Sequence, residues 1–189
     1  MMGRLGMGRL RRQWRKIATV AMAGAAFISV AGRANASELK PVTPACLIHA
    51  VAIHKLPLTV VLALMKTEGG RPGLVRQNSD PHRTHDIGVM QINDRTWLPE
   101  IAARDFGGDM QKAMERVRDD GCYNVMWGTE IFARYVDEAQ GRYWLAVGYY
   151  NSHNDGPRRA YTRTVVARFS EVMAEFRKYG LSGQQKSNG

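Results

Sequence analysis

Apolar positions in this chain recur three and four residues apart over most of its length, the spacing of helices that bury one face. Ala45 to His54 reads as a first helix, with Cys46, Ala50 and Ile53 on its inner side. Pro57 suits the first turn of the next helix, whose buried stripe is Val60, Val61, Leu64 and Met65. Asp94 is placed to cap a helix containing Trp97, Leu98, Ile101 and Ala102. Phe106-Gly-Gly-Asp109 breaks the pattern, and Asp109 caps a charged helix running through Val117. Gly121 to Ala139 predicts a long helix with Val125, Met126, Ile131, Phe132, Tyr135 and Val136 inward, ended by Gly141. Trp144 to Tyr150 makes a short apolar helix. Arg158 to Tyr179 is the last, with Val165, Phe169, Val172, Met173 and Phe176 as its core stripe. Its arginines read as a solvated face. The pattern predicts a mostly α domain.

One stretch, Leu62 to Asn93, does not fit a plain helical repeat. Its first part is an apolar helix stopped by Gly69 and Gly70, which leaves Glu68 as a carboxylate on the last turn. The negative end of the helix dipole and apolar neighbours both disfavour its charge. A raised pKa is what a general acid working near neutral pH requires. Arg71 to Thr84 is polar, holds two prolines and predicts a loop. Asp86-Ile-Gly-Val-Met-Gln-Ile-Asn93 then alternates apolar and polar positions, as an extended segment beside a cleft would, with Gly88 permitting close backbone approach. Gln91 and Asn93 carry donors and acceptors suited to hydroxyls and acetamido groups. His82 and His85, three apart and followed by Asp86, invite a metal reading, but no helix holds that spacing and no third ligand is evident. They are expected to line or flank a substrate cleft, with no metal and no organic cofactor.

Charge and cysteine usage place the chain in the cell. Residues 1–36 hold seven of the 27 basic residues and none of the 17 acidic ones. A basic start, a short apolar run from Ile17 to Ala31 and Ala34-Asn-Ala36 read as a cleavable secretory signal peptide, with Ser37 as the new N-terminus. The run is too short for a stable membrane span. Without this segment the net charge falls from +10 to +3, so the high pI marks no nucleic-acid face. Export to the periplasm follows, by the general secretory or the twin-arginine route. Cys46 and Cys122, an even pair in an exported domain, predict a disulfide; two separate buried thiols are the alternative. The tail, 181–189, is expected to be disordered.

Thr67-Glu-Gly69, Gly88-Val-Met-Gln91 and Tyr149-Tyr-Asn-Ser152 together resemble the lysozyme-like lytic transglycosylases, in that family's order, over roughly residues 45 to 155. The resemblance implies a mostly α, lysozyme-like domain of the soluble lytic transglycosylase or goose-lysozyme kind over 37–180, with at most a minor β segment. It implies Glu68 as catalytic residue, with Asp86, Met90, Gln91, Tyr150 and Asn151 binding substrate. Tyr150 would donate a hydrogen bond to Glu68, and Asn151 would contact an N-acetyl group. Two positions depart from the family: Gly69 stands where Ser is common, and Asn151-Ser-His153 where Asn-Ala-Gly is usual.

The expected reaction is cleavage of the MurNAc–GlcNAc β-1,4 bond of peptidoglycan with closure of a 1,6-anhydro ring. The short chain is similar to transglycosylases that serve conjugation, type IV secretion or pilus machines. Two rivals remain. Asp86 lies 18 residues after Glu68 in a pattern that also resembles animal-type lysozymes, so a hydrolytic muramidase using both carboxylates is one. A catalytically idle wall-binding scaffold of a secretion apparatus is the other.

Overall fold

The computed structural model describes residues 38–180. The segment read as a signal peptide, its end at Ser37 and the tail read as disordered lie outside the described residues. Among those described, seven helices surround one small sheet. The order is α1 (Pro44–Ile53), α2 (Leu58–Glu68), β1 (Val75–Gln77), β2 (His85–Ile87), β3 (Ile92–Asn93), α3 (Asp94–Asp105), α4 (Met110–Asp119), α5 (Gly121–Glu138), α6 (Tyr143–Asn151) and α7 (Asp155–Lys178). The strands form an antiparallel meander, β1-β2-β3, with Arg76 opposite Asp86 and Asp86 opposite Asn93. This is the mostly α, lysozyme-like architecture expected.

Buried apolar residues explain why α2 and α5 are central. Val60, Val61, Ala63 and Leu64 of α2 are buried, as are Val125, Trp127, Ile131 and Phe132 of α5. Together with Met90, Ile92 and Ile101 they form one core. Burying side chains of this size stabilises by about 1.5–3 kcal/mol each relative to exposure. α7 then packs along α2 and α6, burying Val165 and Val172. Lys66 reaches from α2 to Glu171 and Glu175 of α7 at 3.0 and 3.1 Å. Those pairs are exposed and contribute little beside the apolar contact.

Several boundaries differ from the sequence reading, for local reasons. Asn93, not Asp94, caps α3: its side chain accepts from the Thr96 N–H at 3.1 Å. Asp94 instead accepts from both the main-chain N–H and the ring of His85 at 2.9 Å. α7 starts at Asp155, three residues early, because Pro157 is tolerated in a first turn. Ile53 of α1 faces solvent, while Ala50 and Val51 are buried. Cys46 and Cys122 are joined, tying α1 to the start of α5 across 76 residues of sequence. A loop of that length stabilises by about 2–4 kcal/mol when closed. No single helix among the described residues is long and apolar enough to cross a membrane.

Candidate active site

A cleft of about 650 Å³ opens between the sheet and the ends of α2, α5 and α6. Glu68, Asp86, Gln91, Tyr150 and Asn151 all line it, so five of the six expected site residues converge there. Met90 does not. Its side chain is fully buried, seated where α5 carries Gly128; a Cβ at Gly128 would stand 2.6 Å from Met90 Cβ and Cγ. Its place as a substrate-binding residue is therefore corrected to a core position: an unbranched apolar side chain fills the space that glycine leaves.

Glu68 sits where the dihedrals of its neighbour end α2. Gly69 adopts φ 59°, a left-handed cap that L side chains resist, and its N–H closes on the Met65 carbonyl. The carboxylate is partly buried at the cleft wall, and the Tyr161 hydroxyl of α7 donates a hydrogen bond to its Oε1. Burial is the main cause that pushes the Glu68 acid up to about 7; the Asp86 charge adds to it, while the Tyr161 hydrogen bond and the Arg76 charge oppose it. Such a group carries its proton in part of the population at neutral pH and can both give and take one.

The expected Tyr150–Glu68 hydrogen bond is replaced by another arrangement. Tyr150 donates to the Met90 carbonyl at 2.9 Å, which ties α6 to the turn after β2. The donor to Glu68 is Tyr161, 93 residues downstream. Its hydroxyl is held well above the ordinary tyrosine range by burial and then by the Glu68 charge, so it stays a proton donor. Tyr161 lies one turn before Val165 on the stripe read for the last helix. Extending that stripe backwards is the signal that finds it.

The floor of the cleft is the turn from Ile87 to Asn93, and one buried side chain shapes it. Asn124 of α5 accepts from the Met90 N–H at 2.7 Å and donates to the Ile87 and Val117 carbonyls, both at 2.9 Å. Gly88 makes the contact possible: with φ 73°, a Cβ there would stand 2.2 Å from Asn124 Nδ2. Gln91 follows at φ 50°, its amide donating to the Gly88 carbonyl at 2.7 Å. Its buried Oε1 has no hydrogen-bond partner among the described residues. Asp86 accepts from Asn93 Nδ2 at 2.9 Å, and this pair across β2 and β3 fixes the second carboxylate at the cleft.

His82 and His85 do not line this cleft. They flank it, at an adjoining depression that shares Thr84 and Arg95 with the cleft, since the Asp94 contact turns His85 towards α3. Among the described residues no three His, Cys, Asp or Glu side chains gather as a metal site. Trp97, Tyr135, Tyr149 and His153 line the cleft as an aromatic wall, with Tyr135, read as packing inward, reaching it. Tyr135 meets Trp97 and Tyr150 edge-on at 6.1 and 6.3 Å.

Tyr161→Phe tests the electrostatic account. Losing a donor that favours the carboxylate raises the Glu68 pKa further. The acid then stays protonated to higher pH, so the alkaline limb of the activity profile should move up, with the maximum rate reduced. A pH–rate profile checks this; a limb moved to lower pH would contradict the assignment.

Compared with models of known families, residues 45–164 match the one described as the transglycosylase SLT domain. Among curated proteins, none matches the chain.

Proposed function

The chain belongs to the transglycosylase SLT domain family, whose activity is of the peptidoglycan lytic transglycosylase type, and on that premise we propose that it cleaves the MurNAc–GlcNAc β-1,4 bond and releases 1,6-anhydroMurNAc. The observation that carries the reading is Glu68: one partly buried carboxyl with a pKa near 7 at the wall of a glycan-sized cleft. Protonated Glu68 gives its proton to the glycosidic oxygen as the C1–O bond breaks. The resulting carboxylate takes the proton from the MurNAc 6-hydroxyl, whose oxygen attacks C1 and closes the ring. Nucleophile and reacting carbon belong to one sugar, so no positioned water is required. Asn151 supplies a polar contact to the glycan from the rim, and Gln91 borders the floor beneath it. The scheme needs one carboxylate and no cofactor.

A second reading has a specific observation behind it. Asp86 lines the same cleft, and its charge acts on Glu68. A retaining muramidase places two carboxyl groups roughly 5–5.5 Å apart across the sugar. Product analysis separates the two. Wild type should release anhydro-ended muropeptides, lighter than the hydrolytic product by one water, and Asp86→Asn should weaken turnover without changing the product. Reducing MurNAc ends from wild type, with turnover nearly eliminated in Asp86→Asn, would establish the muramidase instead. Failure to clear a suspension of purified cell walls would leave the idle scaffold.

Periplasmic action is part of the same proposal and rests on the basic and apolar pattern of residues 1–36. Service to a conjugation, type IV secretion or pilus machine rests on resemblance alone. A transfer or secretion defect complemented by wild type but not by Glu68→Gln is its test.

A further inference from the structure

The aromatic wall contains a second ordered arrangement, centred on His153 just beyond α6. Its imidazole stacks on the Tyr149 ring, centroids 4.4 Å apart and planes 15° from parallel. It meets Tyr135 edge-on at 5.7 Å. Its Nε2 stands 2.9 Å from Glu138 Oε1. Arg158 of α7 closes the group from behind: Nη1 donates to the His153 carbonyl at 3.2 Å, and the guanidinium lies 5.7 Å from the Tyr149 ring centre. Asp155 in turn accepts from Arg158.

An exposed side chain at a helix end ordinarily keeps its rotamer freedom. This one is 53% exposed, yet Glu138 of α5 meets its Nε2 and Tyr149 of α6 stacks on its ring, while Arg158 of α7 holds its main-chain carbonyl. With Glu138 as acceptor, Nε2 of the neutral ring carries the hydrogen and Nδ1 is an acceptor. A pyranose ring presents C–H groups on its faces and hydroxyl or amide N–H donors at its edge. A fixed aromatic surface with one acceptor matches that combination. In the wall, Tyr135 meets both Tyr150, which ties down the floor and feels the Glu68 charge, and His153.

We propose that His153 binds an N-acetylated sugar of the glycan strand away from the bond that Glu68 breaks, and that Glu138 is a positioning residue acting through it. This rests on the proposed function only in taking a peptidoglycan glycan as the ligand. A contact kept from ground state to transition state changes KM and leaves kcat. On soluble, uncrosslinked glycan strands, His153→Ala should raise KM about tenfold, the size of one lost contact of about 1.4 kcal/mol, with kcat nearly unaltered. Glu138→Ala should raise KM less, and Glu138→Gln, which keeps an acceptor, should restore it. A β-1,4-GlcNAc tetramer titrated into Glu68→Gln protein gives a readout without turnover: adding His153→Ala should weaken that binding by a similar factor. Unchanged KM and affinity in His153→Ala, while wild type still cleaves, overturns this inference alone. A fall in kcat with KM constant overturns it too. Absence of both glycan binding and cleavage in the parent proteins overturns the proposed function and this inference together.

Discussion

Glu68→Gln should abolish cell-wall cleavage while leaving the protein folded. The amide keeps the shape and can still accept from Tyr161, but it delivers no proton. Loss of general acid catalysis costs about 10²–10⁴-fold, and the larger end is expected because the same group is proposed to act twice. Turbidity clearing of purified walls measures it; clearing at wild-type rate by the folded variant would remove the assignment. The same substitution should stabilise the protein in alkali. The unfolded chain releases this proton near 4.5 and the folded one near 7, so between them the folded state holds the extra proton. Stability therefore falls as pH rises through that window, and the full penalty stands above it. At about 1.4 kcal/mol per pH unit, reduced by the screening of cleft water, the penalty is about 1–2 kcal/mol. Glu68→Gln lacks it and should melt above wild type at pH 8, with the gap shrinking at pH 4.

Asn124→Leu should be the most damaging change that touches no cleft-lining residue. It leaves the Met90 N–H and the Ile87 and Val117 carbonyls without the Asn124 partner in a buried site. Each unsatisfied group costs about 1–3 kcal/mol, so a loss of about 3–5 kcal/mol is expected. For a domain of this size that lowers Tm by about 6–20 °C, at 2–4 °C per kcal/mol. Activity measured well below the new Tm should fall as well, because Asp86 and Gln91 ride on the released turn. A Tm within a few degrees of wild type would show that the turn is held by other contacts.

How much of this was legible depended on the sequence distance over which each fact is determined. Glu68 could be found because an apolar helix, its glycine stop and the stranded carboxylate are all local. The disulfide was legible from compartment and parity alone. Asn124 was not, since one polar residue in a long helix resembles any solvated position; only its approach to Gly88 and Val117 makes it structural. Tyr161 was missed although it lies inside the helix read from Arg158, because the core stripe was begun at Val165 and the arginine-rich turns before it read as a solvated face. Met90 was misread for a different reason. A residue between Gly88 and Gln91 shares their stretch of chain, but in so tight a turn the Met90 side chain points into α5 while Gln91 borders the cleft. The cap of α3 slipped by one because Asn93 and Asp94 are both good capping residues, and only His85, nine residues earlier, decides between them.

The contact between α7 and Glu68 has a consequence for the timing of activity. The chain is made from its N-terminus, so the acid and the turn below it emerge long before Tyr161. Until α7 settles on α2, Glu68 stands in water at the end of an uncovered helix and behaves as an ordinary surface carboxylate, ionised at neutral pH. A partly made chain is therefore expected to carry the acid residue without its raised pKa. If Glu68 is the acid, wall-cutting capacity arrives with the last helix, as a property of the finished molecule.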